Sequence, residues 1–206
     1  AMITVGGRPN VGKASLTNAL VGEKIAIVSS KPQTTRNRIY GVVNTGDTQL
    51  VLMDTPGLHK AKNRLGDYMV KVVEDSLSDI DAVMMLVEPI AHVGTPEQII
   101  IDRLKKSGEK AVLVINKIDT VKKEELLPVI AAYQREYDFD AVVPVSARTG
   151  EGLEDLRKTL CAYAQEGPQL FPDDMTTDQP DQQVCAEIVR EKILYCLQRE
   201  VPHGVA

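Results

Sequence analysis

The sequence predicts an α/β fold in which helices cover both faces of a mostly parallel sheet. Short apolar runs rich in β-branched residues alternate with amphipathic segments along most of the 206 residues. The runs at residues 82–87, 111–115 and 141–145 are apolar throughout, which is typical of parallel strands buried on both faces. A glycine-rich turn also follows the first apolar run and opens a helix. Hydrophobic residues make up 43% of the chain, enough to bury a core.

Six strands are expected, of which those three apolar runs are the last three. The first strand covers residues 2–5, and a helix over residues 13–21 follows the glycine-rich turn. Residues 39–43 and 49–53 flank Asn44-Thr45-Gly46-Asp47, a sequence typical of a tight hairpin turn. This hairpin adds one antiparallel pair to the parallel strands.

Amphipathic segments between the strands predict the remaining helices of a first domain, residues 1–167. They cover residues 64–78, 96–107, 122–137 and 152–164. Prolines without periodicity then mark a linker, and one amphipathic helix is expected at residues 183–200. Residues 168–206 are too few to close a core of their own. This tail either docks on the first domain or begins a second one.

Charge and composition argue against a basic nucleic-acid-binding surface, a membrane-spanning helix and a cysteine metal site. The net charge is −5, of which residues 168–206 carry −4, so neither part is a basic nucleic-acid-binding surface by count. No apolar run approaches the ~20 residues that a membrane-spanning helix needs. The three cysteines lack metal-binding spacing and are expected to be reduced thiols. These features favour a cytoplasmic protein.

The turn after the first strand reads Gly7-Arg8-Pro9-Asn10-Val11-Gly12-Lys13, which has the composition and context of a phosphate-binding loop. Backbone N–H groups and the helix N-terminus would bind the phosphates of a nucleotide. Lys13 is expected to reach the β- and γ-phosphates and to take part in catalysis. The nucleotide-binding residues predicted here are Asn10, Val11, Gly12, Lys13, Ala14 and Ser15.

Ala14 departs from this pattern, because a Ser or Thr hydroxyl usually ligates Mg²⁺ at this position. A methyl group cannot coordinate a hard cation. Ser15 lies about 100° further round the helix and is not expected to replace the hydroxyl. The sequence therefore predicts weaker Mg²⁺ binding and slower turnover. Three alternative origins of Ala14 stay open: an engineered substitution, natural divergence or a sequence error.

A second segment, Asp54-Thr55-Pro56-Gly57, ends an apolar strand and is predicted to meet the metal and the γ-phosphate. Asp54 is expected to hold Mg²⁺ through water, and the Gly57 N–H to contact the γ-phosphate in catalysis. Leu58 follows, where many GTPases place a Gln that orients the attacking water. Since Leu cannot orient water, slow intrinsic hydrolysis is expected.

The polar loop at residues 29–36 precedes the hairpin and is a candidate switch segment. Thr35, with Thr34 as the alternative, is expected to complete the Mg²⁺ shell when a γ-phosphate is present. An ordinary solvent-facing loop is the other interpretation.

Asn116-Lys117-Ile118-Asp119 follows an apolar strand and predicts a guanine site. The Asp119 carboxylate would accept hydrogen bonds from guanine N1–H and N2–H₂, a donor pair that adenine lacks. The Lys117 stem would lie along the base, and Asn116 would tie neighbouring loops together. Ser146 and Ala147, after a further strand, would offer backbone N–H groups to guanine O6. These residues favour GTP and GDP over the ATP of a P-loop kinase.

Together these segments resemble the bacterial Era-type GTPases. Residues 7–13 are shared with a wider group that includes tRNA-modification GTPases, whereas residues 31–36 and 56–59 are closer to the Era type. The tail is similar as well, in Phe171-Pro172 and in residues 177–179, 187–192 and 200–203.

The resemblance implies a Ras-like P-loop fold, with one antiparallel edge strand in a six-stranded sheet, and GTP hydrolysis with Mg²⁺. It also implies a role in small ribosomal subunit assembly through the 3′ region of 16S RNA, and peripheral membrane contact. It suggests that Asn10 helps to hold K⁺. In this family, residues 168–206 would open a KH-type RNA-binding domain.

A KH domain grips RNA with a Gly-x-x-Gly loop, yet Gly204 is the only glycine after Gly167. The 206-residue chain is therefore expected to bind ribosomal RNA weakly. Two other functions stay open at this point: a nucleotide-responsive scaffold that hardly hydrolyses GTP because of Ala14, and a tRNA-modification GTPase. The sequence leaves the oligomeric state open.

Overall fold

A computed structural model describes residues 1–28, 39–54 and 80–196. Its centre is a six-stranded sheet with the strand order β2-β3-β1-β4-β5-β6. The strands are β1 (Met2–Gly7), β2 (Ile39–Thr45), β3 (Thr48–Asp54), β4 (Ala82–Val87), β5 (Ala111–Ile115) and β6 (Ala141–Pro144). Among the paired strands of the described residues, only β2 and β3 are antiparallel. The mostly parallel sheet with an antiparallel edge strand is thus confirmed.

The hairpin between β2 and β3 forms as the sequence predicts. Thr45 pairs with Thr48, so the connection has only two residues, Gly46 and Asp47. Gly46 has a φ of 56°, in the left-handed region that glycine enters at little cost. A short turn of this kind fixes the register of the two strands.

The described helices are α1 (Lys13–Val21), α2 (Thr95–Ser107), α3 (Leu126–Glu136), α4 (Leu153–Cys161) and α5 (Asp181–Cys196). The expected helix at residues 64–78 lies outside the described residues. Within those residues, no helix is both long and apolar enough to cross a membrane.

Among the helix boundaries that lie inside the described ranges, two differ from the expected ones by more than two residues, and both have local reasons. The helix expected from residue 122 begins at Leu126, after a 3-10 turn at Lys123–Glu125. Pro128 has no N–H to donate and therefore fits only the first turn of a helix. The helix expected to reach residue 164 ends at Cys161, because the following amides bond to carbonyls three residues back.

The core has two layers, one on each face of the sheet. Met84 and Met85 on β4 are both fully buried, yet they belong to opposite layers. Leu16 and Leu160, from α1 and α4, pack in one layer, and Ile101 of α2 packs in the other. Helices therefore cover both faces, and the strands are apolar throughout for that reason.

The tail docks on the first domain along the free edge of β2. The Val42 N–H donates to the Thr176 carbonyl at 2.9 Å, and Gly41 forms an antiparallel bridge with Thr177. The Tyr40 N–H donates to Asp178 Oδ1 at 3.1 Å. These bonds occupy backbone groups that an edge strand otherwise leaves exposed.

Candidate nucleotide-binding site

The carboxyl ends of the parallel strands bring three of the predicted segments to one edge of the sheet. Gly7 lies level with Leu86, and Val87 lies level with Ile115, which in turn pairs with Pro144. The segments at 8–13, 116–119 and 145–148 therefore leave the sheet side by side. Ligands of open α/β sheets bind at this edge.

The phosphate-loop geometry depends on two glycines. A Cβ on Gly7 would lie 2.7 Å from the Leu86 carbonyl oxygen, and one on Gly12 would collide with the Asn116 amide. Gly12 also has a φ of 101°, which side chains strongly disfavour. It caps the N-terminus of α1, where no side chain caps the first-turn N–H groups. The loop thus has the backbone geometry of an anion site.

The Lys13 side chain is almost fully buried within this loop. Its Nζ donates to the carbonyl oxygens of Gly7 and Arg8 at 3.0 and 2.9 Å. A cation is therefore fixed beside the N-terminus of α1, which no side chain caps. Contact between Lys13 and the β- and γ-phosphates stays a prediction.

Asn116 links the phosphate loop to the loop after β6. Its Nδ2 donates to the Val11 carbonyl at 3.0 Å, and its Oδ1 accepts from the Ala147 N–H at 3.1 Å. Asn116 is 2% exposed, and its contact with the Val11 carbonyl is shielded from water. The tie that the sequence suggests for Asn116 is present.

The Asp119 carboxylate has two partners. Ser146 Oγ donates to Oδ1 at 2.5 Å, and Arg148 forms an ion pair with Oδ2. The Ser146 hydrogen bond and the Arg148 charge lower the pKa of Asp119, although burial opposes them. The carboxylate is therefore ionised at neutral pH, as an acceptor for N1–H and N2–H₂ must be.

The Ser146 and Ala147 amides are both engaged within the protein. The Ser146 N–H donates to the Glu151 carbonyl at 2.9 Å, and the Ala147 N–H donates to Asn116. Donation from either amide to guanine O6 stays a prediction, and it would require a shared hydrogen bond.

Lys117 bridges two parts of the site. Its Nζ donates to the Asn10 carbonyl at 2.7 Å and to Glu88 Oε1 at 2.5 Å. Its φ of 63° is unusual for a residue with a side chain. Burial, and then the nearby Arg8 charge, lower the pKa of Lys117.

Glu88 and Arg148 are the site residues that the motifs do not contain. Glu88 follows β4 directly, and Arg148 follows Ala147. One signal could have indicated Glu88, namely a carboxylate placed where a buried apolar strand ends at the ligand-binding edge. Arg148 has no comparable sequence signal.

The described residues contain few of the predicted metal ligands. Ala14 is half-buried, and its methyl group packs against Ile25 and Ala26. It offers no oxygen ligand, and no group of three or more His, Cys, Asp or Glu side chains in the described ranges could hold a metal. Ser15 is also half-buried. The predicted metal-shell and catalytic residues Thr35 and Gly57, and the side chain of Asp54, lie outside the described residues.

Comparisons with known proteins agree with this geometry. The model of the 50S ribosome-binding GTPase family matches residues 2–117. The GTPase Era of Alkaliphilus metalliredigens is 47% identical over 204 residues, covering 99% of this chain and 69% of that protein. A crystal structure of Era in complex with MgGDPNP and nucleotides 1506–1542 of 16S ribosomal RNA is 36% identical. It superimposes with a TM-score of 0.92, covering 98% of this chain and 69% of that one.

A point variant of Aquifex aeolicus Era bound to GDP·AlF₄⁻ is equally similar, with a TM-score of 0.91 at 36% identity and the same coverage. These likenesses confirm the Ras-like fold. They give no support to the scaffold interpretation, in which the chain binds nucleotide but hardly hydrolyses it. The chain belongs to the Era family of GTPases and is a GTP-hydrolysing enzyme.

Proposed function

We propose that the chain binds GTP and GDP with the base at Asp119 and the phosphates in the loop at residues 7–13. The observation that carries this assignment is the ionised Asp119 carboxylate, positioned by Ser146 in a loop that Asn116 ties to the phosphate loop. The purine edge and the phosphates would therefore be bound by parts of one connected structure.

Titration of GTP, GDP and ATP, with and without Mg²⁺, tests the choice of base. Guanine offers a donor pair to Asp119, whereas adenine would leave the carboxylate unpaired. Asp119→Asn should weaken GTP and GDP binding on the order of a hundredfold, because its amide no longer accepts at both positions. Glu151→Gln, an exposed carboxylate nearby, is the matched control. Equal affinity for ATP and GTP, or unchanged guanine preference in D119N, would refute the assignment.

The same assignment extends to Mg²⁺ and K⁺. A related Era carries MgGDPNP, and Asp54, Thr35 and Gly57 are the residues that we expect to meet the metal and the γ-phosphate. Mg²⁺ would neutralise charge that develops on the phosphates during hydrolysis. K⁺ would bind at Asn10, whose carbonyl already accepts from Lys117 beside the phosphate loop.

We further propose that nucleotide-driven switching assists assembly of the small ribosomal subunit. The support is the related Era structure that contains nucleotides 1506–1542 of 16S ribosomal RNA. Fluorescence anisotropy with that RNA segment tests this partner. We expect weak binding by residues 1–206, because no Gly-x-x-Gly follows Gly167. Tight binding would support 16S RNA as the partner and overturn the expectation that residues 1–206 bind it weakly. Equal binding to unrelated RNA would count against 16S RNA as the partner.

The proposed location is the cytoplasm, with peripheral contact at the inner face of the cell membrane. This proposal rests on the resemblance to Era-type GTPases. Cell fractionation that recovers the protein in the cytosolic fraction, with a salt-extractable membrane portion, would agree with it.

A further inference from the structure

Glu88 connects the first and third nucleotide-binding segments although it belongs to neither. It follows β4 at the carboxyl edge of the sheet, and its side chain is 23% exposed. Oε1 accepts from Lys117 Nζ at 2.5 Å, and Oε2 forms an ion pair with Arg8 of the phosphate loop. One carboxylate thus binds cations from two separate loops.

The Lys117 ammonium is held at two points. Besides Glu88, it donates to the Asn10 carbonyl at 2.7 Å, and Asn10 lies in the phosphate loop. A lysine side chain loses rotamer entropy when it is fixed in one conformation. Because both contacts restrain Nζ, the methylene stem is fixed along one path before a base arrives.

Two cations, Arg8 and Lys117, contact the same carboxylate in this cluster. Burial and the neighbouring Arg8 charge both disfavour the charged form of Lys117 and lower its pKa, although the Asp119 charge opposes them. Glu97 binds Arg8 from the other side, with a distance of 3.4 Å from Oε1 to Nε. Glu88 is the carboxylate that contacts Arg8 and Lys117 together, so it offsets the repulsion between them.

We propose that Glu88 is a positioning residue for guanine nucleotides, which fixes the Lys117 stem along the face of the base. This inference rests on the proposed placement of the base at Asp119 and Lys117. Lys117 belongs to the segment proposed to bind the base, a part that GTP and GDP share. Glu88 therefore contributes equally to GTP and GDP affinity, mainly by slowing nucleotide release.

A double-mutant cycle between Glu88 and Lys117 tests the proposal on the whole chain, with fluorescently labelled GDP and GTP as probes. Glu88→Ala should weaken both affinities about tenfold, as expected for loss of a charge-assisted hydrogen bond. In a Lys117→Ala background, the same change should weaken them less than about twofold, because the residue through which Glu88 acts is gone. Glu151→Gln is the control carboxylate.

An equal loss in both backgrounds, or no loss in the parent chain, would overturn the proposal. If Glu88→Ala lowers the melting temperature, Glu88→Gln keeps the side-chain volume and removes only the charge. That variant should lose about threefold in affinity, with the same dependence on Lys117. This test and the D119N titration refute different claims. Unchanged base preference in D119N would refute the base site at Asp119. A double-mutant cycle without coupling, with D119N behaving as expected, would refute only the role of Glu88.

Discussion

Residue 14 lies where both local packing and metal binding restrict the choice of side chain. It packs against Ile25 and Ala26 where the chain leaves α1, so a small apolar side chain suits the local packing. The same position normally supplies a hydroxyl to the Mg²⁺ that bridges the β- and γ-phosphates. The residue therefore fits the fold, but it removes a metal ligand from the phosphate site.

Restoring that ligand should strengthen metal binding. Ala14→Ser adds one oxygen to the second residue of α1 and changes the side-chain volume little. Because outer-shell partners already contribute 10–100-fold to metal affinity, we expect a direct ligand to raise Mg²⁺ affinity by at least about tenfold. Single-turnover GTP hydrolysis should accelerate as well. Magnesium titration in the presence of a GTP analogue measures the first effect.

Ser15→Ala is the matched control for this substitution. Ser15 lies next along α1 and is also half-buried, but it lies about 100° away round the helix axis. Its loss should leave Mg²⁺ affinity unchanged. The metal-ligand assignment would be wrong if A14S changed neither Mg²⁺ affinity nor turnover.

At the scale of elements, the strands were predictable wherever burial on both faces makes a segment apolar throughout. β4 and β5 have the expected bounds, and β6 is one residue shorter than expected. Val145, the missing residue, still donates to the Ile115 carbonyl at 2.8 Å. Helix ends were less predictable, because the 3-10 turn before α3 depends on local bonding that periodicity does not detect.

Some features of the candidate site were predictable from the sequence and others were not. The positions of Asn116 and Asp119 were predictable because both residues follow an apolar strand closely, whereas the contact of Asp119 with guanine stays a prediction. The pairing of Glu88 with Arg8 and Lys117 was not predictable, because it requires β4 to lie between β1 and β5, and strand order is a tertiary property. The pairing of Arg148 with Asp119 likewise depends on how two loops approach each other.

At the scale of the whole molecule, the tail is joined to the first domain through a buried carboxylate. Glu191 on α5 is 3% exposed on its side chain, and it pairs with Lys24. Its Oε1 also accepts from the Val28 N–H at 3.1 Å. Val28 immediately precedes the candidate switch segment, and Tyr40, just after that segment, donates to Asp178 of the tail. The tail thus contacts the chain on both sides of this segment.

Glu191→Ala should loosen α5 without unfolding the sheet. The substitution removes a buried charge-assisted acceptor and leaves the Val28 N–H without it, a loss of about 1.5–3 kcal/mol. If α5 opens locally, its amide protection should fall about ten- to a hundredfold, since 1.4 kcal/mol corresponds to a factor of ten. Protection in β1, β4 and β5 should not change. Hydrogen exchange read by mass spectrometry resolves these segments, with exposed Gln182→Ala on the same helix as control. Unchanged protection of α5 in E191A would show that docking of the tail depends on its backbone bonds to β2 instead.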